Sequence, residues 1–443
     1  MRIDRLNIHN FKGFSGQEFA FHPEFNLIVG TNGTGKTTAL DALAVAVGSW
    51  FLGVRGADTR HIRPNEVTLA DFTHEYVDDA GQRHISSVQW EHIFPCEVEA
   101  YGQVQGQHIT WTRTKNSLSG RTTYVKAADI KHLATEADTA IRKGQDILLP
   151  LISYYGTGRL WQEPREEYQV SDPMKVVSKE EQSRLSGYWN SVDPRLSVSQ
   201  LTRWIARQSW ITYQQQNRES PLYMVVKQAI INCVKGAQNL YFDAALGEVI
   251  VEFDNGARPF SNLSDGQRCM LAMVGDIAQK AAKLNPQLGG RALEETPGVV
   301  LIDELDLHLH PRWQQTVIED LRCTFPKIQF ICTTHSPFLI QSLRSGEELI
   351  MLDGQPTADL ANMSIEEIVQ GIQHIDNPQT SLRYAEMHDV AKRYLDTVES
   401  AATAPAEQLA EFKNELAETL KPYADNPAFQ AFLEMKRVAQ LGE

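Results

Sequence analysis

The stretch "FNLIVGTNGTGKTTALDALAVAVGSWFL", residues 25–52, carries the reading of the fold. Its first five residues read as a strand, the glycine-rich segment as a turn, and the alanine- and leucine-rich remainder as a helix. Within it, Gly30, Gly35, Lys36 and Thr37 satisfy the spacing G-x-x-x-x-G-K-[ST], with Gly33 inside the turn. Glycines let backbone N–H groups turn inward around phosphate oxygens, Lys36 supplies a point charge, and Thr37 offers an oxygen to Mg²⁺. The alternative, a glycine-rich turn that merely caps a core helix, does not account for the full spacing in its strand-and-helix context. ATP or GTP binding through Asn32, Gly33, Thr34, Gly35, Lys36, Thr37 and Thr38 is the expectation.

A second stretch, "VVLIDELDLHLHP" at residues 299–311, ends an apolar strand in the adjacent carboxylates of Asp303 and Glu304. Beside a triphosphate, the first can hold a Mg²⁺ ion through its water shell and the second can orient an attacking water. Without the phosphate loop this pair would be an ordinary acidic strand end. His308, His310 and Asp306 have zinc-ligand chemistry but no third conventional ligand at close spacing, so a loop-shaping role is expected of them. "LSDGQR", residues 263–268, puts Ser264 where it caps a helix, leaving N–H groups that suit an anion. "FICTTHSPFLI" ends its apolar strand at His335, which could hydrogen-bond a γ-phosphate or act only as a satisfied strand-end histidine.

Around these motifs the chain reads as an α/β protein. Alternating segments such as "SSVQWEHIF" and "HITWTRT" predict an early antiparallel, β-rich lobe. Residues from about 157 to 246 read as mixed helices and loops, and the order from "VIVEF" through "VVLID" and "IQFICTTH" to "ELIMLD" predicts a parallel α/β core. From about Ala358 the chain reads as helical to its end, with "ESAATAPAEQ" as a linker. In the tail, Asn426 is a good N-cap with Pro427 at the first helical position, and Phe429, Phe432 and Leu433 share a face for packing on the nucleotide-binding head of the same chain or for docking a partner.

Composition narrows the class. A 443-residue chain with 42% hydrophobic residues can bury a large core in one or two domains. The net charge of −14 argues against a uniformly basic nucleic-acid coat. A local basic groove remains compatible with it, and Arg55, Arg60, His61 and Arg63 in "RGADTRHIR" are the candidate phosphate contacts. Five scattered cysteines and an N-terminus without an apolar signal core predict a reduced, cytoplasmic setting, and no apolar run is long enough for a bilayer.

The ordered set "GTNGTGKTT", "LSDGQ", "VVLIDE", "LHLHP" and "TTHS" resembles an ABC-type ATPase head of the SMC, RecF and OLD group, across residues 1 to about 355. The resemblance implies a β-rich N-terminal lobe, an inserted helical lobe over about 157–246, and a helical region over 356–443 for oligomerisation or partner docking. It implies ATP and Mg²⁺ as ligands, Glu304 and His335 in catalysis, and Thr37 and Asp303 at the metal. It also implies a head-to-tail ATP-bound homodimer in which Ser264, Gly266 and Gln267 serve the partner copy's nucleotide. Asn10, Phe11 and Lys12 match the "NF[KR]" element, with Lys12 expected at a phosphate or base. Asp265 stands where many relatives carry glycine. No Q-loop glutamine is evident, and Tyr155, Thr157 or Arg159 in "LISYYGTGRLW" are the candidates to replace it.

The phosphate-loop lysine and signature serine lie too close in sequence for long coiled-coil arms, and no heptad seam joins them. The segment after His335 is short for a Toprim nuclease and lacks an acidic D-x-D after a strand, while "LHLHP" stands where transporter ATPases usually carry "SALD". The compact head, "YYGTGRLW" and the tail are similar to ATPase subunits of Septu and retron-type antiphage systems, which implies a separately encoded HNH endonuclease as partner. The competing expectation is a RecF-like repair ATPase that clamps DNA without a nuclease.

Overall fold

The computed structural model describes residues 1–77, 83–159, 183–216, 218–353, 363–373, 381–402 and 426–441. It divides into two compact units, Met1–Ile368 and Val369–Glu443.

The first unit is built on two sheets with one helix between them. Strands β1 (Arg2–Phe11), β2 (Phe14–Ala20), β6 (Cys96–Val104) and β7 (Gln107–Lys115) form an antiparallel sheet in the order β2-β1-β6-β7. The other sheet is entirely parallel, β14-β3-β13-β12-β8, from β3 (Phe25–Val29), β8 (Leu151–Tyr155), β12 (Gly298–Ile302), β13 (Ile328–Thr333) and β14 (Leu349–Met351). Strands β3, β8, β12 and β13 are buried along their whole lengths, which is why they read as continuous apolar runs instead of alternating ones. The helix Lys36–Val47 lies against both sheets, and residues Leu43–Val47 are fully enclosed. Its alanines and leucines suit that place because a helix buried on every side needs no polar face. Trp111 of β7 donates its indole N–H to the Ala46 carbonyl at 2.9 Å. Buried Gln329 joins the sheets, donating to the Ile3 carbonyl and accepting from the Ile3 N–H, each at 2.8 Å.

Strands β4 (Leu69–Val77) and β5 (Arg83–His92) form a separate two-stranded ribbon with Phe72, Val88 and Trp90 exposed. The expected helical insertion contains the helices Val198–Gln214 and Pro221–Cys233, but its last part is β9 (Ala237–Asp243). With β10 (Glu248–Phe253) and β11 (Gly256–Pro259) that strand makes an antiparallel sheet, so the helical stretch ends earlier than the expected residue 246. Residues 160–182, including the end of "YYGTGRLW", lie outside the described residues. The signature helix Asp265–Leu284 packs on the insertion where Gly275 has no Cβ, since one would come within 2.8 Å of the Leu201 side chain.

The boundary between units falls later than the expected residue 355. Gln341 donates to the Met363 carbonyl at 3.0 Å, and fully buried Ile368 belongs to the first unit. In the second unit, Tyr394 and Val398 of the helix Leu382–Ala402 pack against Leu433 of the helix Pro427–Leu441, with Phe429 alongside. Leu433 and Phe429 thus serve the unit's own core, while Phe432 and Met435 are exposed. Asn426 caps the last helix, accepting from the Phe429 N–H at 3.2 Å. The expected linker begins inside a helix at residues 399–402, and 403–425 lie outside the described residues.

Candidate functional site

All five parallel strands point the same way, so the segments that follow them meet at one edge, where ligands bind in open α/β sheets. The phosphate loop follows β3, the paired acids follow β12, the His335 segment follows β13, Gly156–Arg159 follow β8, and Asp353 follows β14.

In the phosphate loop, Gly33 and Gly35 have φ of +89° and +105°, a region that residues with a Cβ rarely adopt. A Cβ on Gly35 would also fall 2.6 Å from the Phe14 ring. Buried Lys36 donates to the carbonyls of Gly30 and Thr31 at 2.8 and 2.9 Å. Burial lowers its pKa, opposed by the nearby charges of Asp303, Asp353, Glu304 and Asp306. Asp353 anchors the loop by accepting from the Thr31 N–H at 2.8 Å and its hydroxyl at 2.7 Å.

Thr37 donates its hydroxyl to Asp303 Oδ2 at 2.9 Å, which joins the two principal motifs. The other carboxylate oxygen of Asp303 accepts from Thr333 at 2.6 Å. These groups offer oxygen donors only, a set that fits a hard cation such as Mg²⁺. Glu304 is half-buried with φ of +49°, a conformation that costs a non-glycine residue about 1–3 kcal/mol. Two contacts hold it there: its N–H donates to Thr333 Oγ1 at 2.7 Å, and its carbonyl accepts from Arg159 at 2.8 Å. His335 is exposed just beyond β13. Asn32, Gly33 and Thr37 are exposed, and Thr34 and Thr38 half-buried, along the same loop and helix start.

Ser264 and Gln267 form a reciprocal cap, with Ser264 Oγ accepting from the Gln267 N–H at 3.3 Å and Gln267 Oε1 from the Ser264 N–H at 3.1 Å. Asp265, in the position flagged as unusual, pairs with Arg268 one turn on. Gly266 is needed for close approach, because a Cβ there would sit 2.4 Å from the His308 carbonyl oxygen. The signature helix of a chain therefore begins against the loop that follows the same chain's paired acids.

Burial and local pairing bear on several expectations. Phe11 is fully enclosed and cannot touch a ligand, Asn10 donates to the Pro95 carbonyl at 2.9 Å, and Lys12 is ion-paired with Asp41 of the phosphate-loop helix. Of the three, Lys12, just beyond β1, pairs with the phosphate-loop helix. Of the candidates to replace a Q-loop glutamine, Tyr155 is buried with its hydroxyl on Asp276 at 2.6 Å. Arg159 is buried against backbone, and Thr157 is the exposed member. Among the proposed DNA contacts, Arg60 is a buried partner of Glu66, and Arg55 bonds Asp138 at 2.8 Å. His61 and Arg63 remain exposed. His310 caps a short helix, accepting from the Arg312 N–H at 3.2 Å. Thr333 and Asp353 went unread because each acts from a segment remote in sequence, and the buried Arg159 was read only as a possible replacement for the Q-loop glutamine.

A family model described as "AAA domain, putative AbiEii toxin, Type IV TA system" matches residues 25–341, which span both halves of this site. The chain belongs to that family. It is 25% identical over 416 residues to the Retron Ec83 probable ATPase of Escherichia coli, covering 80% of this chain and 72% of that one. It is 34% identical over 131 residues to the Septu protein PtuA of Bacillus mycoides, covering 28% of this chain and 18% of that one. Among solved structures, the SMC head domain from Thermotoga maritima aligns at 14% identity with a TM-score of 0.40, over 79% of this chain and 94% of that one. This member of the family is an ATPase, similar to the probable ATPase of a retron and to a Septu protein. Among the described residues no helix is long and apolar enough to cross a membrane.

Proposed function

We propose that this ATPase is the nucleotide-driven subunit of an antiphage complex. Two copies close head to tail around two ATP molecules, and the closed state controls a separately encoded HNH endonuclease. The observation that supports the nucleotide-driven part of this reading is the Thr37–Asp303 hydrogen bond, which joins the phosphate loop to the paired acids of the same chain. The exposed N-cap at Ser264 supports a role for the signature helix toward a second copy. The retron and Septu relatives support the defence setting. Thr37 and Asp303 would hold Mg²⁺, which when bound offsets phosphate charge. Lys36 and the loop N–H groups hold the phosphates, and Glu304 orients the water that attacks the γ-phosphate.

Glu304→Gln is expected to lower steady-state hydrolysis by about 100-fold or more while ATP affinity stays within a few-fold. Undiminished turnover would refute the assignment of the base. Ser264→Arg should abolish ATP-dependent self-association measured by light scattering, and dimers that persist would refute the trans site. The Glu304→Gln protein, recovered from its native cells with ATP present, should carry an HNH-type nuclease identifiable by mass spectrometry. Recovery of DNA or repair proteins without a nuclease would replace this reading with the DNA clamp.

A further inference from the structure

We infer that Arg159 is a positioning residue for hydrolysis, fixing the backbone that carries Glu304 and tying it to the signature helix of the same chain. This rests on the reading of Glu304 as the water-orienting base. Arg159 is fully buried, and its hydrogen-bond partners among the described residues are all neutral. Nη1 donates to the carbonyls of Asp303 at 2.7 Å and Gly156 at 3.1 Å, Nη2 to the Glu304 carbonyl at 2.8 Å, and Nε to Cys269 Sγ at 3.0 Å.

Burying a guanidinium without a bonded carboxylate is costly, and an apolar side chain of similar volume would fill the space at less expense. What an apolar residue would not provide is a planar fork that fixes two successive carbonyls. Those carbonyls belong to the two acids of the site, and the second acid holds the left-handed backbone described above. Cys269 lies on the signature helix, a little over one turn beyond Ser264. Because the guanidinium is rigid, a displacement of that helix transmitted through Nε tilts the fork and with it the peptide carrying Glu304. Closure on a second copy's nucleotide is thereby registered at the base in the first copy. Gly266 against His308 adds a second junction between the same helix and the same loop.

The test is a kinetic cycle in the full-length protein, reading kcat, KM and equilibrium ATP affinity. Arg159→Met should lower kcat by about 30- to 100-fold with KM and affinity within about twofold, because its action passes through the base and not through the phosphates. Combined with Glu304→Gln it should lower the residual rate by no more than about twofold, since both changes remove one function. Arg159→Lys keeps the charge but not the fork and should fall between wild type and Arg159→Met. Cys269→Val should lower kcat several-fold and be sub-additive with Arg159→Met.

A rate for Arg159→Met within about threefold of wild type, or a full multiplicative loss on top of Glu304→Gln, would overturn the inference. If thermal melting shows that Arg159→Met does not fold, Arg159→Lys is read in the same cycle. Sub-additivity with Glu304→Gln then supports the inference, and independent factors overturn it. If Glu304→Gln alone keeps full turnover, the base assignment fails first and the inference falls with it. An impaired Glu304→Gln beside an active Arg159→Met removes only the role of Arg159.

Discussion

The contrast between Gly266 and Gly275 separates two reasons for a glycine in one helix. At Gly266 an added methyl meets a backbone carbonyl, which cannot rotate away, so the helix start or the loop after the paired acids must move. At Gly275 the same methyl meets the far end of Leu201, which can adopt another rotamer. Gly266→Ala should therefore lower ATP turnover about tenfold with ATP affinity nearly unchanged, whereas Gly275→Ala should stay within about twofold of wild type. Equal behaviour of the two variants in steady-state assays would show that the close approach at His308 has no bearing on hydrolysis. Lys36→Ala belongs to a different category, because it removes the cation held against the loop carbonyls. Nucleotide binding measured by calorimetry should be lost, and retained tight binding would contradict the phosphate-loop assignment. Lys36 was legible in the sequence because its motif is contiguous, and Gly266 through the family resemblance, whereas Gly275 carried no signal. Arg159 was legible only as a candidate of undefined role, since its contacts join positions 159, 269 and 303–304.

At the scale of elements, periodicity read well where burial is one-sided or complete and poorly where it is neither. The parallel strands and the phosphate-loop helix follow from apolar runs, and the signature helix from such a run with an identifiable Ser264 cap. The insertion lacked such a pattern, and β9 was missed because its burial alternates irregularly. Charge was the less reliable guide: the run around Arg55 and Arg60 reads as basic surface, but Arg60 is buried against Glu66 and Arg55 pairs with Asp138. Asp138, nearly inaccessible on the helix Ala128–Arg142, shows how. Burial pushes its pKa up, and hydrogen bonds from Arg142 and Arg55 outweigh that, leaving it below the usual carboxylate value. A carboxyl with a lowered folded-state pKa contributes stability above its unfolded pKa, and the contribution is lost as pH falls through the folded value. Asp138→Asn should cost about 1–2 kcal/mol near neutral pH, a modest figure because both arginines are largely solvated. Thermal melts of the variant should also converge with wild type as the pH falls through the lowered folded-state pKa and the wild-type carboxyl protonates. A constant difference between the two from pH 7 to acid would refute the pairing as the source.

At the scale of the whole molecule, the second unit offers a face that its own packing does not use. Phe429 and Leu433 are committed to the helix Leu382–Ala402, whereas Phe432 and Met435 are about half or more exposed on the same helix. An amphipathic pattern read from sequence cannot make this distinction, because all four residues fall on neighbouring positions and only the packed partner tells the inner pair from the outer. Large apolar side chains exposed together are a usual mark of association surfaces. If the tail docks the nuclease subunit, Phe432→Ser with Met435→Ser should release that subunit in co-purification while leaving ATP turnover within about twofold, since neither residue belongs to the ATPase unit. Leu433→Ser should instead open the helix pair and lower its melting temperature, because a buried side chain of that size contributes about 2–3 kcal/mol. Retention of the partner by the Phe432/Met435 variant would move docking to the ATPase unit. There the exposed Phe72, Val88 and Trp90 of the β4–β5 ribbon would be the next surface to substitute.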